Sequence, residues 1–495
     1  MGQIKDQTIR GTVFSYLGVL LGFAISALLL PALFSTGEIG LINLLIAYSA
    51  LFAQFASLGF GNATARLFSW FRDENTKHHG FTGLLLLVAA VGFSLSMIAF
   101  VLFRHRIAEP EGESSSLMRE YLVFLVPLIF FNLLYLLLDV YFKMLYRTVI
   151  GTFLKEFLLR VFILASILLY FIGLLDFKGF IMAYVIANCL PAIILFAVLL
   201  YEGGISWKPD WKFIDRNLAR SLFSMSFFGV TVGLSNVLVL SVDRIMVEKM
   251  IDIKAVGVYS ITFFFGTLVV IPSRSLRKIA GTLLADAWKR NDKAQIEDIY
   301  AKSIVNQLVI GTLIFVGLWS NIHNVFELLP PAYAPGKWVI FFVALSGLIE
   351  MSSGVSEILV QTSSYYRFSA VLNGLFLLFI ITFNFLFINA FGLVGAAIAN
   401  ALSYLLANVI RYTFIYKRMK IRPFAFSNVM IVITGIAVFF VFQLLPALKP
   451  YPIDILVRSS LITLVFLVLI YLQKLSVDMN STFKVLFDKY LKKYF

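Results

Sequence analysis

Fourteen hydrophobic stretches, each long enough to cross a lipid bilayer, follow one another along almost the whole chain. A transmembrane helix needs roughly 20 apolar residues, because the hydrocarbon core of a bilayer is about 30 Å thick. The predicted spans cover residues 11–34, 39–63, 81–103, 121–141, 157–175, 179–201, 221–242, 255–273, 303–321, 338–360, 366–388, 392–416, 427–446 and 453–472. Loops averaging about 15 residues remain between them, too short for a separate folded domain. The pattern therefore predicts an all-α integral membrane protein.

The lysines and arginines are unevenly distributed over the predicted loops. If the N-terminus is cytoplasmic and the spans alternate in direction, 31 of the 41 basic residues lie on the inner side and ten on the outer side. Loops that stay in the cytoplasm carry such an excess of basic residues. We therefore predict a multi-pass membrane protein with both termini in the cytoplasm. Membrane orientation, rather than nucleic-acid binding, explains the net charge of +14.

Two short sequence patterns recur along the chain. Residues 35–43, which enter span two, resemble residues 252–260, which enter span eight, and Ile-Ala-Asn occurs at Asn188 in span six and at Asn400 in span twelve. Each pair is separated by six spans, so both copies cross the membrane in the same direction. The repetition predicts two parallel six-helix bundles around a central cavity. Their predicted domains are residues 1–220 and 221–422, and residues 423–495 form two additional helices and a cytoplasmic amphipathic tail.

Two segments outside the spans combine apolar and basic residues at helical spacing. One is the linker 274–302, and the other is the tail, where Phe483, Phe487, Tyr490 and Tyr494 recur among lysines. This pattern is typical of helices that lie in the membrane interface. We predict that both segments serve as anchors.

Three segments resemble one known family. Residues 241–247 (SVDRIMV), 256–259 (VGVY) and 392–400 (GLVGAAIAN) look like the polysaccharide and O-antigen flippases of the multidrug, oligosaccharidyl-lipid and polysaccharide exporter superfamily. The likeness covers essentially the whole chain, including the fourteen-span count. It implies a flippase that moves an undecaprenyl-diphosphate-type lipid-linked oligosaccharide across the plasma membrane by alternating access, for the synthesis of O-antigen, lipopolysaccharide or other surface polysaccharide.

The resemblance also implies partners. These are the lipid-linked oligosaccharide, membrane lipids, protons or Na⁺ as coupling ions, and other polysaccharide-assembly proteins, with no cofactor. Spans thirteen and fourteen are expected to help hold the lipid tail. Relatives that move the peptidoglycan precursor typically carry arginines in their first helices, whereas spans one and two contain no charged residue after Arg10. This departure counts against a peptidoglycan-precursor flippase.

Sequence motifs of common enzymes are absent. The chain has no G-x-x-x-x-G-K-[ST], H-E-x-x-H or G-x-S-x-G motif, and its four histidines fall in predicted loops, so neither an enzyme nor a metal site is predicted. Two alternatives to the flippase remain open. One is an ion-coupled multidrug or organic-cation antiporter of the same fold. The other is a membrane glycosyltransferase or polysaccharide polymerase, for which Glu109, Glu111 and Glu113 are the clustered acids in an external loop.

Two carboxylates in predicted span ten are the strongest functional candidates. Glu350 lies near its middle, and Glu357 follows about two helical turns later, on the same face of a continuous helix. An ionisable group at this depth is costly unless it faces protein or water. For Glu350 two interpretations remain open: a cavity wall that binds substrate or a coupling ion, or a carboxyl hydrogen-bonded between helices. For Glu357 we favour an ion pair near the inner interface.

A group of charged residues surrounds the inner ends of spans four and five. It contains two i,i+4 pairs, Asp139 with Lys143 and Glu156 with Arg160, together with Arg147 and Lys155. Lys143, Arg147 and Lys155 form a cytoplasmic basic mouth that, with Asp139 and Arg160, is a candidate site for the diphosphate of a lipid carrier. Ordinary anchoring of the inner helix ends is the alternative.

Further candidates come from the repeat and from the family resemblance. Asn188 and Asn400 are candidates for substrate binding, and Arg411 shares a helix face with Asn400. Snorkelling of Arg411 to the cytoplasm is favoured over ligand binding. Asp243 and Arg244 are candidates for an outer gate, but neighbouring residues on a helix point about 100° apart, so each needs another partner.

Overall fold

The computed structural model describes residues 2–108, 114–422, 425–476 and 478–481, and within these residues all regular structure is helical. Thirteen of the fourteen predicted spans correspond to helices that are long and apolar enough to cross a membrane. The remaining one, predicted at 157–175, lies in a helical run over residues 148–171 that contains Lys155, Glu156 and Arg160. Every stretch of 18 residues within this run contains all three charges, whereas each of the other thirteen helices has such a stretch with at most two.

The fourteen helices are numbered in chain order. They are α1 (Val13–Leu33), α2 (Thr36–Ala56), α3 (His78–Ile107), α4 (Leu117–Met144), α5 (148–171), α6 (Phe177–Tyr201), α7 (Arg216–Met250), α8 (Ile253–Val270), α9 (Lys293–Ser320), α10 (Pro331–Ser352), α11 (Tyr366–Phe391), α12 (Leu393–Met419), α13 (Phe426–Gln443) and α14 (Tyr451–Leu472). Shorter helices cover Phe60–Phe71, Ser114–Tyr121, Ser273–Lys289, Ile322–Leu328 and Ser356–Gln361.

Three of these helices contain π-helical turns. The turns are Ala24–Leu29 in α1, Phe153–Leu158 in α5 and Ile415–Met419 at the end of α12. A π-turn inserts an extra residue and is frequent at functional sites. The turn in α5 contains Lys155 and Glu156, two of the residues singled out by the sequence.

The second predicted span is shorter than expected. Helix α2 ends at Ala56, and a separate helix begins at Phe60. Between them Gly59 has a φ of +67°, and a Cβ at this position would collide with the backbone of Ser226 and Val230 in α7. Only glycine combines this φ with such a close approach at no steric cost. The prediction of one unbroken span over 39–63 is therefore wrong.

Helices α2 and α8 meet at the first repeated pattern. A Cβ at Gly40 would collide with the carbonyl of Ile253, and a Cβ at Gly257 would collide with the carbonyl of Thr36. Thr36 and Ile253, like Gly40 and Gly257, occupy equivalent places in the two copies. The contacts are thus reciprocal, as expected of two segments related by an approximate two-fold axis, which supports the predicted repeat.

The chain divides into two compact units, Met1–Ser260 and Ile261–Phe495. In the first unit α2 packs against α3, α4 and α7, and α4 packs against α6. Helix α7 was placed in the second predicted domain, but it packs on α2 and Phe60–Phe71 and so clusters with the first. The three predicted domains stay a prediction.

In the second unit α9 is central and packs against α10, α13 and α14, while α12 packs against α10 and α11. Side chains of α9, α13 and α14 share one hydrophobic core, which also includes Leu284 from Ser273–Lys289. The linker 274–302 is therefore not one helix, because its first part forms Ser273–Lys289 and its last part begins α9.

Some predictions fall on residues outside the described ranges. These residues are Glu109, Glu111 and Glu113 in the external loop and Phe483, Phe487, Tyr490 and Tyr494 in the amphipathic tail.

Candidate substrate-binding and coupling sites

A cluster of charged side chains surrounds Glu350 in the second unit. Its Oε1 accepts a hydrogen bond from Nη2 of Arg277, and its Oε2 accepts one from Nδ2 of Asn408 at 3.3 Å. Nη1 of Arg411 lies 4.0 Å from the same Oε2. Glu350 is only 7% exposed. The structure thus brings Glu350 and Arg411, two predicted candidates, together in one ion-pair cluster.

Asn408 connects the two charged ends of this cluster. Its Oδ1 accepts a hydrogen bond from Nη1 of Arg411 at 2.8 Å, while its Nδ2 donates to Glu350 and to the carbonyl of Ile349. Arg411 is 8% exposed and also lies 3.5 Å from Oγ of Ser356. The expectation that Arg411 snorkels to the membrane surface is therefore wrong, because its guanidinium has partners inside the unit.

The helix that carries Glu350 does not continue to Glu357. Helix α10 ends at Ser352, and a new helix begins at Ser356. Between them Gly354 has a φ of +58°, and Oγ of Ser303 accepts a hydrogen bond from the N–H of Val355 at 3.1 Å. The prediction that the two glutamates share one face of a continuous helix is wrong.

The two glutamates nevertheless share a partner. Nη1 of Arg277 lies 3.5 Å from Oε2 of Glu357, whose Oε1 accepts a hydrogen bond from Gln361 at 3.1 Å. This agrees with the ion pair favoured for Glu357. Burial by itself lowers the pKa of Arg277, but the negative charges of Glu350 and Glu357 together raise it by more. The net effect is a raised pKa, so the guanidinium stays charged.

In the first unit most of the basic candidates are paired with carboxylates. Both predicted i,i+4 pairs form, and Arg147 has a partner farther along the chain. The N–O distances are 2.5 Å for Lys143 with Asp139, 3.3 Å for Arg160 with Glu156, and 2.5 Å for Arg147 with Glu202. These cations are therefore largely compensated within the protein.

Lys155 differs from the other three basic residues. Its Nζ donates a long hydrogen bond of 3.4 Å to Oδ1 of Asn132 and lies 5.0 Å from the centroid of the Tyr135 ring. Nδ2 of Asn132 in turn donates to Oγ of Ser49 at 3.1 Å. Among the residues that the structure describes, no carboxylate lies within 4.0 Å of the Lys155 ammonium. Lys155 is therefore a partly buried cation beside neutral polar groups of α2 and α4.

The side chain of Arg160 packs against α1 beside two glycines. It donates a hydrogen bond to the carbonyl of Gly18, and a Cβ on Gly22 would collide with its guanidinium. The two glycines lie one helical turn apart on α1 and leave space for this side chain. Arg160 thus connects α5 to α1 as well as binding Glu156.

Each predicted gate residue has a partner on α8. Tyr259 donates its hydroxyl to Oδ2 of Asp243 at 3.0 Å, and Nε of Arg244 donates to Oγ of Ser260 at 3.3 Å. Arg244 also donates to the carbonyl of Leu240 at 2.8 Å. These contacts supply the other partners that each residue was expected to need.

The two repeat asparagines are buried. Nδ2 of Asn188 donates to the carbonyl of Tyr184 at 2.9 Å, an ordinary contact within α6, and Asn400 is 5% exposed. Their role in binding stays a prediction.

Two buried acidic groups were missed by the sequence reasoning. In the first unit Glu248 accepts a hydrogen bond from the hydroxyl of Tyr48 at 3.1 Å. In the second unit Asp454 binds Arg458, His323 and Asn324 at distances between 2.6 and 3.2 Å. A signal existed for Asp454 and Arg458, which form an i,i+4 pair inside predicted span fourteen. Glu248 lies beyond the predicted end of span seven, so its burial was not expected.

No group of three or more histidine, cysteine or acidic side chains in the described part of the chain is arranged to hold a metal ion. The charged side chains described above occur instead as ion pairs and hydrogen-bonded clusters.

The fold is similar to those of several solved transport proteins. A structure titled lipid II flippase MurJ in an inward closed conformation matches with a TM-score of 0.76 and 12% identity, over 94% of this chain and 99% of that one. An inward-facing multidrug resistance MATE family transporter of the MOP superfamily matches with a TM-score of 0.63 and 14% identity, over 82% and 94% of the two chains. An outward-facing MATE structure gives a TM-score of 0.57 at 14% identity, over 84% and 96%. The molecule therefore has the all-α membrane fold of this transporter class.

The sequence comparison defines the family. A family model described as polysaccharide biosynthesis protein matches residues 8–284, more than half of the chain. The chain belongs to this polysaccharide biosynthesis protein family. No curated protein sequence matches it. The resemblance recognised in the sequence is confirmed.

Proposed function

We propose that this protein is a flippase that transfers an undecaprenyl-diphosphate-type lipid-linked oligosaccharide from the inner to the outer leaflet of the plasma membrane. The observation that carries the proposal is the family match over residues 8–284, because it places a membrane-spanning chain in polysaccharide synthesis. The likeness to the fold of a lipid II flippase supports it. Both termini are proposed to be cytoplasmic, and the product is proposed to serve surface-polysaccharide synthesis.

We propose Lys155 as the main cation for the substrate diphosphate. Lys143, Arg147 and Arg160 already have carboxylate partners, whereas among the described residues the direct contacts of the Lys155 ammonium are the amide of Asn132 and the ring face of Tyr135. A partly buried ammonium without a counter-ion is stabilised by an anionic ligand. The neighbouring amide and hydroxyl groups are suitable partners for further oxygen atoms of that ligand.

The Glu350 cluster is proposed as the site where transport is coupled to an ion. Glu350 lies in the candidate membrane span α10 and Glu357 in the short helix that follows it, and their shared partner Arg277 lies on another helix. Binding of a proton or Na⁺ at either carboxylate would change the charge balance of the cluster. Asp139 and Asn188 in the first unit and Asn400 in the second are proposed to contact substrate, and Arg411 is proposed to support the Glu350 cluster. Asp243 and Arg244 are proposed to contribute to an outer gate.

The test of the proposed function is a strain that lacks the protein. Because the described residues offer polar membrane sites and no recognised bond-making motif, completed lipid-linked oligosaccharide should accumulate on the cytoplasmic leaflet. Leaflet-resolved extraction of labelled intermediates measures this. Loss of the intermediates themselves would indicate a transferase or polymerase. Normal intermediates and export, with increased drug sensitivity, would indicate a multidrug antiporter.

A further inference from the structure

The guanidinium of Arg277 lies between two carboxylates on opposite sides of a helix break. Glu350 belongs to the last turns of α10 and Glu357 to the helix that follows Gly354. The side chain of Glu350 is 9% exposed, whereas those of Arg277 and Glu357 are 25% and 30% exposed. Arg277 therefore faces a buried acid on one side and an accessible acid on the other.

Neither acid depends on Arg277 alone. Glu350 keeps the amide of Asn408 at 3.3 Å and the guanidinium of Arg411 at 4.0 Å, and Glu357 keeps the amide of Gln361 at 3.1 Å. Loss of one partner from a buried ion pair is costly when it leaves a charge uncompensated. Because both acids keep other partners, an anionic ligand can replace one of them on Arg277 without leaving a carboxylate that has no hydrogen-bond donor.

A phosphate group is a suitable replacement for the accessible carboxylate. The planar guanidinium presents paired N–H donors that match two oxygens of a phosphate, and such bidentate contacts are stronger than a single charged hydrogen bond. A diphosphate also carries more negative charge than one carboxylate and so competes for the same donors. The 3.5 Å contact with Glu357 is the weaker of the two contacts of Arg277 and is the one to be displaced.

We propose that Arg277 is a phosphate-binding residue, and that the phosphate group of a membrane lipid takes the place of Glu357 on its guanidinium. The identity of this lipid as an undecaprenyl diphosphate rests on the proposed function. Glu357 then acts as an internal competitor that favours release of the phosphate. Sequence reasoning assigned Arg277 to an anchoring linker, because its nearness to Glu350 depends on the tertiary fold.

This exchange predicts effects of opposite sign for two neighbouring substitutions. Arg277→Gln removes the donors and should weaken binding of undecaprenyl diphosphate about tenfold. Glu357→Gln removes the competitor and should tighten binding by about threefold. Arg277→Lys keeps the positive charge but loses the paired N–H donors of the guanidinium, so its affinity should fall between those of wild type and Arg277→Gln. A purely structural ion pair would give no tighter binding in any of these variants.

Full-length protein in phosphatidylcholine nanodiscs is the material for the test. Undecaprenyl diphosphate is titrated and its binding is measured by native mass spectrometry. Lys278→Gln is the matched control, since Lys278 is the next residue on the same helix and is exposed. Its affinity should equal that of wild type. Phosphatidylglycerol and inorganic pyrophosphate are titrated in parallel to identify the source of the phosphate.

Each outcome of this titration has a definite meaning. Tighter binding of undecaprenyl diphosphate by Glu357→Gln, together with weaker binding by Arg277→Gln, supports the exchange. If both substitutions change the binding of phosphatidylglycerol by the same factors, the phosphate belongs to an ordinary lipid headgroup. Unchanged or weaker binding by Glu357→Gln overturns the proposal, even if Arg277→Gln folds poorly, because Glu357 is partly exposed and its variant should fold. A further outcome is that the variants show this binding pattern while the wild-type protein moves no oligosaccharide in liposomes. That result would contradict the proposed function but would still support the phosphate site.

Discussion

Replacement of Glu350 by glutamine should destabilise the second unit through its charge rather than its shape. Glutamine keeps the size of the side chain and one acceptor oxygen, but it leaves Arg277 with the partly exposed Glu357 and removes the carboxylate nearest to Arg411. Removing one partner of a buried ion pair costs about 3–5 kcal/mol. We expect the lower end, about 3 kcal/mol, because Arg277 keeps Glu357 and Arg411 keeps Asn408.

The double variant Glu350→Gln/Arg411→Gln separates charge from shape. It removes one negative and one positive charge, so the buried charge is balanced again. We expect it to be more stable than the sum of the two single effects by about 2 kcal/mol, as is usual for contacting residues. Glu327→Gln in the same unit is the control, since Glu327 is exposed, and its effect should stay within about 0.5 kcal/mol.

The assay is equilibrium unfolding in mixed detergent micelles. Cys189, the single native cysteine, lies in the first unit and is replaced by serine. A cysteine introduced at Ala344, which is buried in the second unit, then reports opening of that unit by its reaction with a thiol-reactive fluorophore. Wild-type stability of Glu350→Gln, or strict additivity in the double variant, would refute the view that Glu350 compensates buried arginines.

Three further predictions concern other parts of the molecule. Lys155→Gln should slow leaflet transfer about tenfold, roughly 1.4 kcal/mol, because it removes a cation that has no described carboxylate within 4.0 Å, while the control Lys143→Gln should stay within about twofold in the same liposome assay. Asp454→Asn should lower the free energy of unfolding by about 3 kcal/mol, because it leaves Arg458 buried without its counter-charge, and wild-type stability in micelles would exclude this role. A cysteine introduced at Lys293 should react with an impermeant label from the cytoplasmic side, and labelling from outside would contradict the predicted topology.

The spans were predictable because bilayer thickness imposes a length and an apolar composition that each segment carries by itself. Thirteen predicted spans match helices that can cross a membrane. The breaks within them were harder to predict, because they depend on contacts with distant helices. At Gly354 the run Ser-Ser-Gly inside a predicted span was a usable signal for a helix end. At Gly59 the requirement for glycine comes from the close approach of α7, which no local pattern indicates.

The site residues were predictable to the extent that their partners lie on the same helix. The i,i+4 spacing correctly indicated the pairs of Lys143 with Asp139 and of Arg160 with Glu156. The long-range partner of Glu350 was not predictable, because Arg277 lies 73 residues away in the sequence and reaches Glu350 only through the tertiary fold. For the same reason the spacing did not distinguish Lys155 from its paired neighbours.

The most direct test of the central claim is leaflet transfer of lipid-linked oligosaccharide by the purified protein in liposomes. The oligosaccharide is placed in one leaflet, and its appearance in the other is followed with a lectin or a glycosidase that cannot cross the membrane, with and without a proton or Na⁺ gradient. The proposed function predicts transfer that depends on the protein, responds to the gradient and decreases in Lys155→Gln. Transfer no faster than in protein-free liposomes, with properly folded protein and with either gradient, would contradict it.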